Sequence, residues 1–262
     1  MFSWKHIEHS STGARRKPLI IAHRGASGTA PENTLAAFSH AIAEGADAIE
    51  LDLRLSRDGE AVVIHDATLR RTTGARGRVS ERTLAELKQL DAGSWFEGSF
   101  GGEHIPTLTE VFELVNGRAG INIELKAVRG AAHAQRIVDR CLRVVDDYRS
   151  TEYVLISSFQ HALLKLVEKN NPDVALGVLY HPLQLAGRSP VKLSKRLGAH
   201  ILLCAVRQLR KNIVEDAHRQ GMIVAAYTVN TIQNLRHCLA LGITGVLTNF
   251  PKKISEFLEK RA

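Results

Sequence analysis

Two acidic residues, Glu50 and Asp52, stand two positions apart in an alternating segment, and His65 follows after an Asp58-Gly59 turn. The alternation predicts a strand with both carboxylates on one face. The turn predicts a hairpin that returns His65 towards them. Two carboxylates beside an imidazole can bind a metal ion and transfer protons. The same alternation is also typical of a solvated strand face, so the rest of the chain must decide between these interpretations.

Short apolar runs alternate with amphipathic segments along most of the chain. We predict eight strands, each followed by a helix, near residues 20, 50, 123, 155, 176, 202, 225 and 247. Eight such units in about 250 residues predict an α/β fold, the (β/α)8 TIM barrel. A doubly wound open sheet is the alternative. It is disfavoured because no Gly-x-Gly-x-x-Gly follows the first strand.

Two segments depart from this regular pattern. Residues 67–106 are rich in Arg, Gly, Thr and Ser and contain one predicted helix over 80–90. They predict a small insertion between strand 2 and helix 2 that covers one end of the barrel. Residues 1–18 are largely polar and basic, and we expect a flexible N-terminal extension there. Residues 19–262 would then form a single TIM-barrel domain.

Composition limits the class of protein. The chain has 262 residues, of which 44% are hydrophobic, enough for a large core. The formal net charge is +8, but Lys and Arg are spread along the chain and no nucleic-acid-binding motif occurs. We therefore expect small anionic substrates and no nucleic-acid partner.

Three widely spaced cysteines fit a reducing compartment. No apolar run is long enough for a signal peptide or a membrane span, which predicts a cytoplasmic protein without stable membrane insertion.

Polar and aromatic residues stand at the ends of several predicted strands, where TIM barrels place their active sites. They are His23, Arg24, Glu50, Asp52, Glu124, Lys126, Phe159 and Tyr227. Two carboxylates ~4 Å apart repel each other by about 4 kcal/mol at an effective dielectric constant of ~20. Three of them would recruit a proton or a cation. Oxygen ligands favour Mg²⁺ or Ca²⁺ over zinc.

The cations and histidines around these carboxylates indicate the reaction. A bound divalent cation polarises a phosphoryl oxygen, and Arg24 and Lys126 would add positive charge beside it. His23 and His65 are suited to taking one proton and giving another. Together these groups predict cleavage of a phosphate ester.

A set of short motifs occurs in order over about residues 19–251. They are His-Arg-Gly at 23–25, Pro-Glu-Asn-Thr at 31–34, Glu-Leu-Asp at 50–52, His-Asp at 65–66, Ile-Pro-Thr-Leu at 105–108, Glu-Leu-Lys at 124–126, Ser-Phe at 158–159, Thr-Val-Asn at 228–230 and Thr-Asn-Phe-Pro at 248–251. With these motifs the chain resembles the glycerophosphodiester phosphodiesterase family, a branch of the phospholipase-C-like phosphodiesterase barrels. The combination is specific, although no single triplet is.

The resemblance implies a metal-dependent hydrolysis of glycerophosphodiesters to glycerol 3-phosphate and an alcohol. Glu50, Asp52 and Glu124 match the family's metal ligands, and His23 and His65 match its acid/base pair. The implied cofactor is a divalent cation, Mg²⁺ or Ca²⁺.

The resemblance also implies substrate contacts. Arg24 and Lys126 match phosphate-binding positions, Glu32 has a supporting role near the site, and Phe159 and Tyr227 lie where the organic part of the substrate binds. The chain departs from the family at two positions. Tyr227 replaces a common Trp, and Asn249 replaces a common Asp. We assign no role to Asn249 from the sequence.

Two other functions stay open at this stage. A lysophospholipase-D-like enzyme would use the same phosphate site together with an apolar groove lined by Trp95, Phe96 and Phe100, although the interpretation that these aromatics only pack the insertion is favoured. A non-catalytic barrel that binds phosphates or polyanions would fit the net charge and the versatility of the fold, but it would have no use for two placed histidines.

Overall fold

Eight parallel strands close into a barrel in the structure, a computed structural model that describes residues 3–5, 17–181 and 189–260. They are β1 (Leu19–His23), β2 (Ala48–Leu55), β4 (Gly120–Leu125), β5 (Val154–Ser158), β6 (Ala175–Tyr180), β7 (Ile201–Ala205), β8 (Ile223–Tyr227) and β9 (Gly245–Thr248). The ring closes because β1 pairs with both β2 and β9. The predicted TIM barrel is confirmed.

Helices cover the outside of this barrel. The described ones are α1 (Leu35–Ala43), α2 (Arg70–Thr73), α3 (Leu84–Leu87), α4 (Leu108–Val115), α5 (Ala131–Asp147), α6 (His161–Asn170), α7 (Pro190–Arg196), α8 (Lys211–Arg219), α9 (Ile232–Ala240) and α10 (Pro251–Glu259). Several begin at a side-chain cap, such as Thr34 before α1 and Thr107 before α4. Among the described residues, no helix is both long and apolar enough to span a bilayer. The cytoplasmic location stays a prediction.

Both faces of the barrel strands are buried, which settles the meaning of the alternation in β2. Its outward residues Ile49, Leu51 and Leu53 pack under the helices in the main apolar core. Its inward residues Glu50 and Asp52 are only 2% and 1% exposed. The polar face of β2 is therefore the interior of the barrel and not a solvated surface.

Trp4 closes the amino-terminal end of the barrel. Its side chain is 1% exposed and joins the apolar cluster of inward strand residues. The indole Nε1 donates to the carbonyl of Tyr153 (2.9 Å), and the backbone N–H donates to the carbonyl of Glu152 (3.1 Å), both just before β5. The expected flexible extension is therefore wrong for residues 3–5, because an indole buries a large apolar area here. Residues 6–16 lie outside the described part.

The hairpin predicted after β2 is present. A short strand, β3 (Ala61–Val63), pairs antiparallel with the end of β2. The insertion that follows packs on the hairpin through its own apolar cluster, which includes Leu69, Val79 and Leu87. The predicted helix over 80–90 is wrong in extent. It is divided into a 3-10 turn, Val79–Glu81, and α3, because Thr83 is extended and caps a new helix.

Candidate active site

Three carboxylates meet at the carboxyl ends of β2 and β4. The strand register places Asp52 beside Glu124, and Glu50 lies one step lower on the same inward face. One potential ligand oxygen from each residue lies within 4.8 Å of those of the other two. In the described part of the chain, this is the one group of three or more His, Cys, Asp or Glu side chains with that geometry.

The electrostatics of this cluster fit a bound cation. Burial raises the pKa of Glu50 well above its ordinary value, and the charges of Asp52 and Glu124 raise it further. Burial also raises the pKa of Glu124. A cation bound among these carboxylates would offset both the burial and the mutual repulsion, and would favour their ionised forms. Because all donors are oxygens, the site fits a hard divalent cation.

Two basic side chains from the chain itself reach the same carboxylates. Lys126 Nζ donates to Asp52 Oδ1 (3.1 Å) and Glu124 Oε1 (2.6 Å), and Arg24 Nε lies 3.2 Å from Asp52 Oδ2. Burial opposes ionisation of Asp52, but Lys126 and Arg24 outweigh it and lower the pKa of that carboxyl to about 2. Asp52 is therefore ionised under all ordinary conditions.

A sharp turn after β1 brings His23 and Arg24 to the site. Arg24 and Gly25 both have positive φ, +58° and +80°. A Cβ on Gly25 would lie 2.6 Å from the carbonyl carbon of Ala37 in α1, so only glycine fits there. The turn lets the Arg24 N–H donate to Glu50 Oε2 at 2.8 Å. The turn thus explains the glycine of the His-Arg-Gly motif, and the contacts of the Arg24 guanidinium with Asp52 and Glu32 explain its arginine.

His23 is held by an amide. Its Nδ1 lies 2.8 Å from Oδ1 of Asn249, which follows β9. A carbonyl oxygen only accepts, so we infer that Nδ1 carries the hydrogen and that the Nε2 lone pair is available. Burial, assisted by the charge of Arg24, lowers the pKa of His23 to about 4. The imidazole is therefore neutral near pH 7.

His65 is held by a carboxylate instead. It follows β3, and its Nδ1 lies 2.7 Å from Oδ1 of the neighbouring Asp66. The Arg54 guanidinium donates two hydrogen bonds to the His65 carbonyl, at 2.9 and 2.7 Å, and fixes the backbone. Burial lowers the pKa of His65, and the nearby Lys126 lowers it further. Unlike His23, this imidazole has an anionic partner that stabilises its protonated form.

Eight of the ten predicted site residues line one cavity of about 220 Å³, and the two others, Asp52 and Glu32, do not. Asp52 is buried behind Lys126 and Arg24. Glu32, which we predicted to have a supporting role near the site, lies behind Arg24. Its carboxylate accepts hydrogen bonds from Arg24 and from Arg71 of α2. Glu32 can therefore act through Arg24 and not through direct contact at the cavity.

The cavity has two unlike walls. The charged residues come from β1, β2 and β4, whereas the apolar wall comes from the neighbouring arc of strands and consists of Phe159, Leu179, Tyr227 and Leu247. The rings of Phe159 and Tyr227 meet edge to face, with centroids 6.3 Å apart. The Tyr227 hydroxyl donates to the Tyr180 carbonyl at 3.2 Å, which holds the ring at the cavity edge.

Sequence reasoning did not select several residues of the site. Asn122 precedes Glu124 by two residues on the same inward face of β4, and it lines the cavity. Its Oδ1 accepts from Ser157 Oγ (2.8 Å), and its buried Nδ2 has no hydrogen-bond partner among the described residues. The alternation of Asn-Ile-Glu could have revealed Asn122. No local signal links Asn249 to His23, or Arg71 to Glu32, because these contacts join distant parts of the chain.

Comparison with known proteins agrees with this geometry. The sequence profile described as "Glycerophosphoryl diester phosphodiesterase family" matches residues 23–253. A glycerophosphodiester phosphodiesterase of Caldanaerobacter subterraneus subsp. tengcongensis is 38% identical over 93% of this chain and 99% of the relative. A phosphodiesterase of Oleispira antarctica, solved in complex with the product sn-glycerol-3-phosphate, superposes with a TM-score of 0.86 at 32% identity, over 92% of this chain and 97% of that chain. The chain therefore belongs to the glycerophosphodiester phosphodiesterase family.

Proposed function

We propose that this chain hydrolyses glycerophosphodiesters, such as glycerophosphocholine, to glycerol 3-phosphate and an alcohol, with Mg²⁺ or Ca²⁺ as its cofactor. The observation that carries the proposal is one cavity lined by two histidines, His23 and His65, and by carboxylates of the acidic cluster. Each histidine has its Nδ1 hydrogen-bonded to a side chain. Family membership and the product in the Oleispira relative support the same reaction.

The charged groups would bind the phosphate. Glu50, Asp52 and Glu124 would hold the divalent cation, which supplies positive charge that polarises a phosphoryl oxygen. Lys126 and Arg24 also line the cavity and would bind the remaining phosphate charge. Phe159 and Tyr227 would contact the carbon atoms of the glycerol or headgroup.

The two histidines would divide the proton transfers. His23 is neutral and has a neutral partner, so its Nε2 would take the proton from the attacking oxygen. That oxygen would bond to phosphorus while the bond to the leaving alcohol breaks. If it comes from water, the product is glycerol 3-phosphate directly. If it is the substrate's own 2-hydroxyl, the product is a cyclic phosphate, which water must then open to give glycerol 3-phosphate. His65 has the carboxylate of Asp66 beside it, which favours its protonated form, and it would give a proton to the leaving oxygen.

A comparison of leaving groups tests this division. The phosphodiester of glycerol with p-nitrophenol has an acidic leaving group that needs no protonation. We expect His65→Ala to lose at least about 100-fold in kcat on glycerophosphocholine but far less on the p-nitrophenyl ester. His23→Ala should lose activity on both substrates. Equal losses for His65→Ala on the two substrates would contradict the assignment, and activity that survives thorough chelation would contradict the metal requirement.

The alternative substrates would need an apolar groove. Trp95 is 40% exposed and packs edge to face on Phe96, which packs likewise on Phe100, with centroids 5.8 Å apart in each pair. None of the three lines the cavity, so we favour glycerophosphodiesters over lysophospholipids. Faster turnover of a lysophospholipid than of glycerophosphocholine would reverse that preference. Tight phosphate binding without any hydrolysis would favour the non-catalytic function.

A further inference from the structure

Arg71 of α2 makes three hydrogen bonds that join the insertion to two separate parts of the active site. Its Nη1 and Nη2 donate to the two oxygens of Glu32, both at 2.8 Å. Its Nε donates to Asp66 Oδ2 at 2.7 Å. Every nitrogen of the guanidinium is thus engaged by a carboxylate, and the two carboxylates belong to segments far apart in the chain.

Each of these carboxylates in turn holds a residue of the cavity. Glu32 Oε1 accepts from Arg24 Nη1 at 2.9 Å, and Arg24 Nε lies 3.2 Å from Asp52. The other oxygen of Asp66 lies 2.7 Å from His65 Nδ1. A continuous series of charged contacts therefore runs from His65 to the acidic cluster, and Arg71 is at its centre.

We propose that Arg71 is a positioning residue that keeps His65 and Arg24 in a fixed geometry relative to one another, a role that rests on the proposed function. Arg71 does not line the cavity, and its side chain is 41% exposed. It must therefore act through Glu32 and Asp66. With one oxygen held by Arg71, the Asp66 carboxylate cannot turn away from His65.

The contacts are stronger than those of an ordinary surface ion pair. Most exposed pairs contribute little to stability, but Arg71 binds Glu32 with a two-bonded fork, and the Glu32 side chain is only 13% exposed. An arginine that binds a carboxylate through two parallel hydrogen bonds fixes the orientation of the carboxylate and also stabilises its charge. The hydrogen bond from Arg71 holds the pKa of Asp66 far below its usual range, so this carboxylate stays ionised and able to accept from His65. Because the Arg71 side chain is itself 41% exposed and belongs to none of the apolar clusters among the described residues, its loss should affect turnover more than folding.

The experiment compares two neighbouring arginines of the same helix. Arg71→Ala is the test variant and Arg70→Ala the matched control, because Arg70 is exposed and, within the described part of the chain, no side-chain hydrogen bond links it to the site. We expect kcat on glycerophosphocholine to fall by about 10- to 100-fold in Arg71→Ala, as slight misplacement of reacting groups does. KM and Tm should change little, and Arg70→Ala should match the wild type.

Two further measurements separate positioning from a general structural role. Because the Arg71 guanidinium is near the surface, millimolar guanidinium ion should restore kcat of Arg71→Ala several-fold, whereas KCl at the same ionic strength should not. Arg71→Lys should recover less than half of the wild-type kcat, since an ammonium cannot form the fork. If Arg71→Ala fails to fold, Arg71→Lys tests the proposal alone. A kcat below half of the wild-type value supports the positioning role, and a kcat equal to that of the wild type contradicts it.

The outcomes distinguish this inference from the proposed function. If the wild type releases glycerol 3-phosphate and His65→Ala does not, but Arg71→Ala retains full kcat, the positioning role is wrong and the proposed function stands. A loss in Arg71→Ala that follows its Tm, with no response to guanidinium, also overturns the positioning role. If the wild type releases no glycerol 3-phosphate with any divalent cation, the proposed function itself fails.

Discussion

Asn249 accepts a hydrogen bond from His23, with its Oδ1 2.8 Å from the imidazole Nδ1, across 226 positions of sequence. The amide orients the ring and directs Nε2 away from Asn249. It carries no charge, so it adds little stabilisation to the imidazolium, in contrast to Asp66 beside His65. The two histidines of the cavity are thus both held through Nδ1, but one partner is a neutral amide and the other a carboxylate.

Asn249→Asp should move the acid limb of the pH–activity profile. A carboxylate beside Nδ1 favours protonated His23 and raises its pKa, so the proposed base would already be protonated, and inactive, at a higher pH than in the wild type. We expect the acid limb of kcat/KM to shift upwards by about one pH unit, with little loss near pH 8. Asp66→Asn is the converse control, since it should move the alkaline limb to lower pH. An unchanged profile in Asn249→Asp would contradict the role of His23 as the base.

Protonation of His23 should also make stability depend on pH. Burial lowers its pKa from 6.5 in the unfolded chain to about 4 in the fold. As the pH falls from 6.5 towards 4, the unfolded chain binds a proton that the folded protein does not, so the free energy of unfolding decreases. This loss amounts to about 3 kcal/mol.

The comparison with His23→Gln isolates that effect, because the other titrating groups are common to both proteins. Urea unfolding across this pH range should show the wild type losing about 3 kcal/mol more than the variant, with parallel behaviour above pH 6.5. Parallel curves throughout the range would mean that His23 is not desolvated in the folded protein.

Divalent cations should stabilise the folded protein through the acidic cluster. A cation at 100 times its Kd adds about 2.7 kcal/mol if it binds only the native state, and the chelated protein should show the corresponding decrease in Tm. Asp52→Asn should remove most of this shift, whereas Glu97→Gln, at an exposed position of the insertion, should retain it. An equal shift in both variants would place the cation elsewhere.

Trp4→Ala should decrease the stability of the folded protein and leave its catalytic activity nearly unchanged. Removal of a buried aromatic side chain costs about 3–5 kcal/mol, and Trp4 packs against inward residues at the amino ends of the strands. The active site lies at the opposite end, so kcat at 25 °C should stay within twofold of the wild type. Lys5→Ala, which removes an exposed contact to the Pro172 carbonyl, is the mild control. A Tm for Trp4→Ala equal to that of the wild type would show that the indole contributes little.

The barrel and most of the cavity could be predicted because their signals are local. Most strands are short apolar runs, and in β2 and β4 the polar residues Glu50, Asp52 and Glu124 alternate with apolar ones. Eight consecutive strand–helix units restrict the possible folds to very few, and the TIM barrel is the one expected. In a TIM barrel the carboxyl ends of all strands lie at one face, so residues there are expected to be close together.

The parts that escaped prediction depend on contacts between distant segments. Trp4 is a single aromatic in a polar segment, with no periodicity to predict its burial. Arg71 lies in an insertion that contains many arginines, and only the packed structure distinguishes it from Arg70. The sequence pattern is compatible with a helix that continues through Thr83, and only the structure shows that the backbone is extended there and that a new helix begins after it.

The charged and apolar walls of the cavity make the site able to distinguish the two enantiomers of a chiral ligand. The charged residues would hold one end of a ligand, the apolar wall would face its carbon atoms, and the Asn122 amide would be a third, different contact. Three non-equivalent contacts distinguish mirror images at a tetrahedral carbon. We therefore expect the enzyme to prefer one enantiomer of a glycerol backbone and to leave part of a racemic substrate unconsumed.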